Sequence, residues 1–142
     1  MTPVADDLAS LPYRWAVADG FAPDTSTGGF ESHESLCALN PGDVPASLVF
    51  TAYFADREPS RGAIVTLPAR RAVHYRTSDS GALGGVVINA GIPYALELRS
   101  DVLLDVQYSR LDTTAPAYTL MTTAVAAASV AASINDTTAK PR

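Results

Sequence analysis

Between Arg14 and Thr123 the chain is a succession of short runs rich in Val, Ile, Leu, Phe and Tyr, each closed by turn residues. That rhythm does not suit alternating βαβ units and calls for an antiparallel sandwich or barrel. The predicted strands are Arg14 to Ala18, Ser35 to Leu39, Ser47 to Phe54, Ala63 to Leu67, Ala72 to Arg76, Val86 to Asn89, Tyr94 to Arg99, Leu103 to Ser109 and Tyr118 to Thr123. Two of them alternate cleanly. Tyr94, Leu96 and Leu98 oppose Ala95, Glu97 and Arg99, while Val102, Leu104, Val106 and Tyr108 oppose Leu103, Asp105, Gln107 and Ser109. These two runs are predicted to form a hairpin around Asp101. Its register sets Arg99 across from Asp105, because Glu97 in that place would oppose like charges.

Asn40-Pro41-Gly42-Asp43 is a strong turn: proline presets one dihedral and glycine permits positive φ. The stretch holding Gly28 and Gly29 is read as a long surface loop, the kind of segment that carries function on a rigid sheet. Three regions follow. Residues 1–12 lack a sustained period, end in Pro12 and are expected to be a loosely held, flexible arm. Residues 13–126 are one β domain, and residues 127–142 an alanine-rich tail that becomes disordered past Asn135. Ala124 to Ile134 is a short helix candidate, weakened by its valines and serines, that needs to dock on its own domain or on a partner.

Composition narrows the function classes. A chain of 142 residues with 47% hydrophobic residues buries a core without disulfides or metals. A net charge of -5 lacks the positive field that tracks a phosphate backbone, so a nucleic-acid partner is not expected. Cys37, the single cysteine, sits in the apolar run Leu36-Cys37-Ala38-Leu39 and reads as a small core thiol in a reducing compartment. The start of the chain has Asp6 and Asp7 in place of a basic leader, and no apolar run spans a membrane; the expected location is the cytoplasm. Asn135-Asp136-Thr137 matches a glycosylation acceptor only by chance in a polar tail.

One ordered string of motifs goes further than composition. It begins with Arg14-Trp15-Ala16-Val17-Ala18-Asp19-Gly20 and Pro23, then Ser32-His33-Glu34, Cys37 and Leu39-Asn40-Pro41-Gly42-Asp43. It continues with Tyr53, Asp56-Arg57-Glu58-Pro59, Pro68-Ala69-Arg70-Arg71, His74 and Gln107-Tyr108-Ser109-Arg110-Leu111-Asp112. In this order the motifs resemble the Anabaena-type sensory rhodopsin transducers from about Arg14 to Ala126. The chain departs from that pattern in its N-terminal arm, its shortened Thr77 to Gly85 region, Tyr108 in place of a histidine, and its tail. The resemblance implies an all-β fold, a small single-domain antiparallel sandwich of jelly-roll-like form. It also implies a cytoplasmic homotetramer that acts as a signalling adaptor for a membrane-embedded sensory rhodopsin. A small-molecule sensor for a sugar or organic acid, without a rhodopsin, is the alternative the same resemblance allows.

Candidate site residues follow from donor and acceptor chemistry. Gln107, Arg110 and Asp112 fall toward one strand end, where an amide, a guanidinium and a carboxylate can orient a polyol or an acid. An Arg110–Asp112 ion pair capping the strand is the equal alternative. His33 and Glu34 precede a strand and can line the same rim. Arg70 and Arg71, with His74 and Arg76 nearby, form the only basic cluster and fit either an anion or an acidic face of another subunit. Two histidines and one cysteine without zinc spacing make no metal site. No nucleophile elbow, phosphate loop or cofactor motif occurs, so neither an enzyme nor a cofactor is expected. Trp15 is expected in the core.

Overall fold

The computed structural model describes residues 8–130. Two antiparallel sheets form a sandwich. The strands are β1 (Tyr13–Gly20), β2 (His33–Asn40), β3 (Ala46–Tyr53), β4 (Ser60–Arg61), β5 (Val65–Leu67), β6 (Arg71–Arg76), β7 (Tyr94–Ser100), β8 (Asp105–Asp112), β9 (Thr119–Val125) and β10 (Ala128–Ser129). One sheet runs β10-β1-β7-β3-β4, with β5 also on β3; the other runs β6-β2-β8-β9. The all-β sandwich expectation therefore holds. The core lies between the sheets, where alternate residues of each strand meet: Trp15 and Val17, Leu36 and Ala38, Leu48 and Phe50, Leu96 and Leu98, Val106 and Tyr108. Trp15 is buried, as expected.

The predicted hairpin around Asp101 does not form. β7 pairs with β1 and β3, whereas β8 pairs with β2 and β9, so residues 101–104 carry the chain from one sheet to the other. Asp105 lies across from Leu39. Arg99 instead grips the N-terminal segment, its Nε donating to the Leu11 carbonyl at 2.9 Å and its Nη2 to that of Leu8 at 2.8 Å. Leu11 is buried against Val49 on the outside of that sheet. Residues 8–12 are thus fixed, unlike the loose arm expected there; residues 1–7 lie outside the described residues.

Two further expectations change. Val86 to Asn89 has the burial alternation of a strand, with Val86 and Ile88 inside and Val87 outside, yet among the described residues it pairs with no strand. Over Ala124 to Ser129 the expected helix is replaced by the end of β9 and by β10, which pairs with β1, while Val130 is helical. A short helix gains little in water, whereas the adjacent strands offer ladder hydrogen bonds. Residues 131–142, the rest of the tail, are outside the described residues.

The turn after β2 is held as the sequence suggests. Asn40 Oδ1 accepts from the Gly42 amide at 3.1 Å, and Asn40 Nδ2 donates to the carbonyl of Val44 at 2.8 Å. The same amide nitrogen reaches the Leu67 carbonyl at 3.3 Å, tying the turn to β5 on the opposite sheet.

Candidate functional site

The longer connections gather at one end of the sandwich: residues 21–32, 54–59, 77–93 and 113–118. The centre of that end is Glu34, which faces inward from β2 and is 1% exposed. A carboxylate so buried requires partners for both oxygens. Its Oε1 accepts from the Tyr94 hydroxyl at 2.7 Å. Its Oε2 accepts from Arg110 Nε at 2.9 Å and from the Phe21 amide at 3.1 Å. Arg110 faces Glu34 directly across the β2–β8 ladder, while Tyr94 opens β7 in the other sheet. The carboxylate therefore clamps the two sheets together.

Arg110 extends the network. Its Nη2 donates to the Asp19 carbonyl at 2.6 Å and lies 3.7 Å from the Asp19 carboxylate. Burial opposes its charge, but the hydrogen bond and charge of Glu34, with Asp19 and Tyr94 adding, outweigh this and raise its pKa. Burial, reinforced by the Glu34 carboxylate and opposed by Thr77, pushes the Tyr94 phenol far above its ordinary value. Gly20 makes room for the phenol, since a Cβ there would overlap the Tyr94 ring.

Outside this clamp the loops are stitched by Thr113, which is buried. Its hydroxyl donates to the Phe30 carbonyl at 2.9 Å, its amide to Ser32 Oγ at 3.0 Å, and its carbonyl accepts from the Thr27 amide at 2.7 Å. A cleft of about 120 Å³ opens beside Glu34, bordered by Asp24, Glu31, Ser32, His33 and Arg76. His33 Nδ1 lies 3.0 Å from the Glu31 carbonyl.

Of the residues the sequence singles out, this end brings together His33, Glu34, Arg110 and Asp112. It leaves three apart. Gln107 is an odd number of residues from Arg110 on one strand, so it faces outward and lies across from Cys37. There it borders a shallow groove of about 580 Å³ with His74 and Asp105. Arg70 and Arg71 sit at the opposite end, where Arg71 pairs with Asn40, about 20 Å along the strand from Glu34. Arg70 adopts φ 54°, and its carbonyl accepts from Arg71 Nη1 at 2.9 Å. The Arg110–Asp112 strand cap does not form either. Asp112 Oδ1 accepts from the Thr114 amide at 2.9 Å and its hydroxyl at 2.6 Å, and these bonds lower its pKa.

Cys37 is half-buried on the outer face of its sheet, not in the core, and burial raises its pKa. Among the described residues no group of three His, Cys, Asp or Glu side chains is placed to hold a metal. Tyr94, Asp19, Phe21 and Thr113 escape sequence reasoning. Tyr94 reads as one more apolar position in an alternating strand, and only its hydroxyl hinted at a polar partner.

Comparison with known proteins places this geometry in a family. The sequence model of the Anabaena sensory rhodopsin transducer family matches residues 12–127. The chain belongs to that family. The solved Anabaena sensory rhodopsin transducer is 37% identical, with a TM-score of 0.61, covering 71% of this chain and 89% of that one. The crystal structure of Thermotoga maritima 1070 is 34% identical, with a TM-score of 0.70, covering 81% of this chain and 93% of that one. No curated protein matches. In this transducer-family chain the motif Ser32-His33-Glu34 supplies the buried carboxylate, and Gln107 to Asp112 supplies its guanidinium partner. Among the described residues no helix is long and apolar enough to cross a membrane.

Proposed function

We propose that this chain is a cytoplasmic, non-catalytic signalling adaptor that couples a membrane-embedded retinal photoreceptor to downstream partners and works as a homotetramer. The observation that carries the reading is the family match over residues 12–127, joined by 37% identity to the solved Anabaena transducer. The site chemistry is consistent with it. Glu34 and Arg110 are occupied by each other and by protein groups, which suits a rigid scaffold more than a reactive centre. The test is co-purification with a retinal protein from the same cell, in light and in dark. Association that changes on illumination is the expected result; absence of association in both states would reject the reading.

The cleft beside Glu34 favours a second reading, a small polar ligand held by His33, Glu31 and Arg76. A ligand bound only by the native state raises its melting temperature. A thermal-shift screen of sugars and organic acids is expected to find one whose shift disappears in His33→Ala and Arg76→Ala. Arg110→Ala is unsuitable for this purpose, because it removes a partner of a buried carboxylate.

A further inference from the structure

The cleft beside Glu34 is lined by charges that do not neutralise one another. Asp24 and Glu31 come from the connection after β1, and Arg76 ends β6. All three are exposed at its border, yet among the described residues none of them is in an ion pair: no Arg76 nitrogen comes within 4.0 Å of either carboxylate. The walls hold them in place. The Gly91 amide donates to the Ala22 carbonyl at 2.7 Å, tying the connection after β1 to the one between β6 and β7. Gly91 has φ 80°, and a Cβ on it would stand 3.3 Å from Asp24 Oδ2, so the glycine leaves room for that carboxylate. The Thr77 amide donates to the Glu34 carbonyl at 3.0 Å and fixes the chain directly after Arg76. Arg76 lies across from Ser35, so His33, two residues before Ser35, shares its face of the sheet. A carbonyl can only accept, so the 3.0 Å contact with Glu31 puts the proton of the neutral His33 ring on Nδ1 and leaves Nε2 as an acceptor.

We infer that this cleft binds a small α-amino acid, its carboxylate on Arg76 and its ammonium among Asp24, Glu31 and His33 Nε2. The inference rests on the second reading above and narrows its ligand. A guanidinium presents a planar fork of donors that suits a carboxylate. An ammonium has three N–H donors and no acceptor, and the rest of the border supplies three acceptor groups. A sugar meets neither sign of charge. A simple organic acid satisfies Arg76 but is repelled by Asp24 and Glu31, so an amino acid is the organic acid that matches the whole border. Size sets a further limit. A cleft of about 120 Å³ lies well below the roughly 300 to 1,000 Å³ of sites for drug-sized ligands, which restricts it to the smaller amino acids. Ala22, Ile88 and Ala90 in the same lining offer apolar contact to a short side chain.

The experiment is calorimetric titration and thermal shift of the full chain with glycine, L-alanine and L-serine. N-acetylglycine and glycinamide, each lacking one of the two charges, and a set of sugars serve as comparisons. At least one of the three amino acids is expected to bind and to raise the melting temperature, and both blocked compounds to bind about tenfold or more weakly. Arg76→Gln is expected to weaken the amino acid about tenfold or more, and Glu31→Gln and Asp24→Asn to weaken it in the same direction. These side chains are exposed, so the melting temperatures of the variants without ligand should stay near that of wild type. Binding of either blocked compound, or of a sugar, as tight as that of the amino acids would overturn the amino-acid assignment while keeping a ligand in the cleft. Equal amino-acid binding by Arg76→Gln and wild type, or no binding of any amino acid, organic acid or sugar, overturns the assignment and the second reading together. The adaptor reading is decided separately, by co-purification with a retinal protein.

Discussion

Glu34 shows how one residue acquires meaning only from its surroundings. On a solvent-facing position it would be an ordinary acid; here three donors converge on it from β1's exit, β7 and β8. Removing one partner of a buried ion pair leaves an uncompensated charge, at about 3 to 5 kcal/mol. Arg110 is 21% exposed, so water softens the loss, and Arg110→Ala is expected to cost about 3 kcal/mol in urea denaturation. Tyr94 makes a pH prediction. Its folded pKa is raised above the ordinary 10.0, so the stability linked to its protonated form is complete below pH 10 and falls as pH rises beyond it, when only the unfolded chain releases the proton. The stability advantage of wild type over Tyr94→Phe should therefore shrink between pH 9 and about pH 11. A constant difference across that range would contradict the buried phenol.

Among the elements, β7 is the one whose role the structure redefines. Its inward residues, Leu96 and Leu98, sit in the core as alternation requires, but its outward Glu97 and Arg99 are buried too. Arg14 Nε meets Glu97 at 2.6 Å, and Arg99 anchors residues 8–12 through two carbonyls. Hydrogen bonds to a charged group contribute about 1.5 to 3 kcal/mol each, offset by the entropy of ordering the segment. Arg99→Ala is expected to open a protease-sensitive site near Leu8 to Pro12 and to lower stability by about 2 kcal/mol. Strand positions were legible because period-two alternation is local. Val86 to Asn89 marks the limit of that signal: it alternates because Val86 and Ile88 pack into the core, yet no strand among the described residues offers it a ladder.

Across the whole molecule, the two ends of the sandwich have separate duties. One end carries the long connections and the Glu34 clamp; the other carries the Asn40 turn and the Arg70-Arg71 pair. Effects at sites this far apart, with no shared partner, add to within about 0.5 kcal/mol. The triple variant Arg70→Ala, Arg71→Ala, Arg110→Ala should therefore lose the sum of the stability losses of Arg110→Ala and the Arg70→Ala, Arg71→Ala double variant. A clear excess in urea midpoints would reveal a connection through β6 that the contacts do not show.

The sequence by itself determined the all-β class, the place of most strands, the Asn40 turn and the family, since each is written in neighbouring residues or in the order of motifs. It also marked Glu34 and Arg110 as residues of interest, though as ligands and not as partners. Only tertiary structure decided that β7 and β8 belong to different sheets, that Arg99 holds the chain start, and that Gln107 and Arg71 lie away from Glu34. A strand's alternation fixes which residues share a face, but the identity of the strand beside it depends on long-range pairing. Recurring runs of similar composition do not encode that pairing one by one; packing selects it from the whole set.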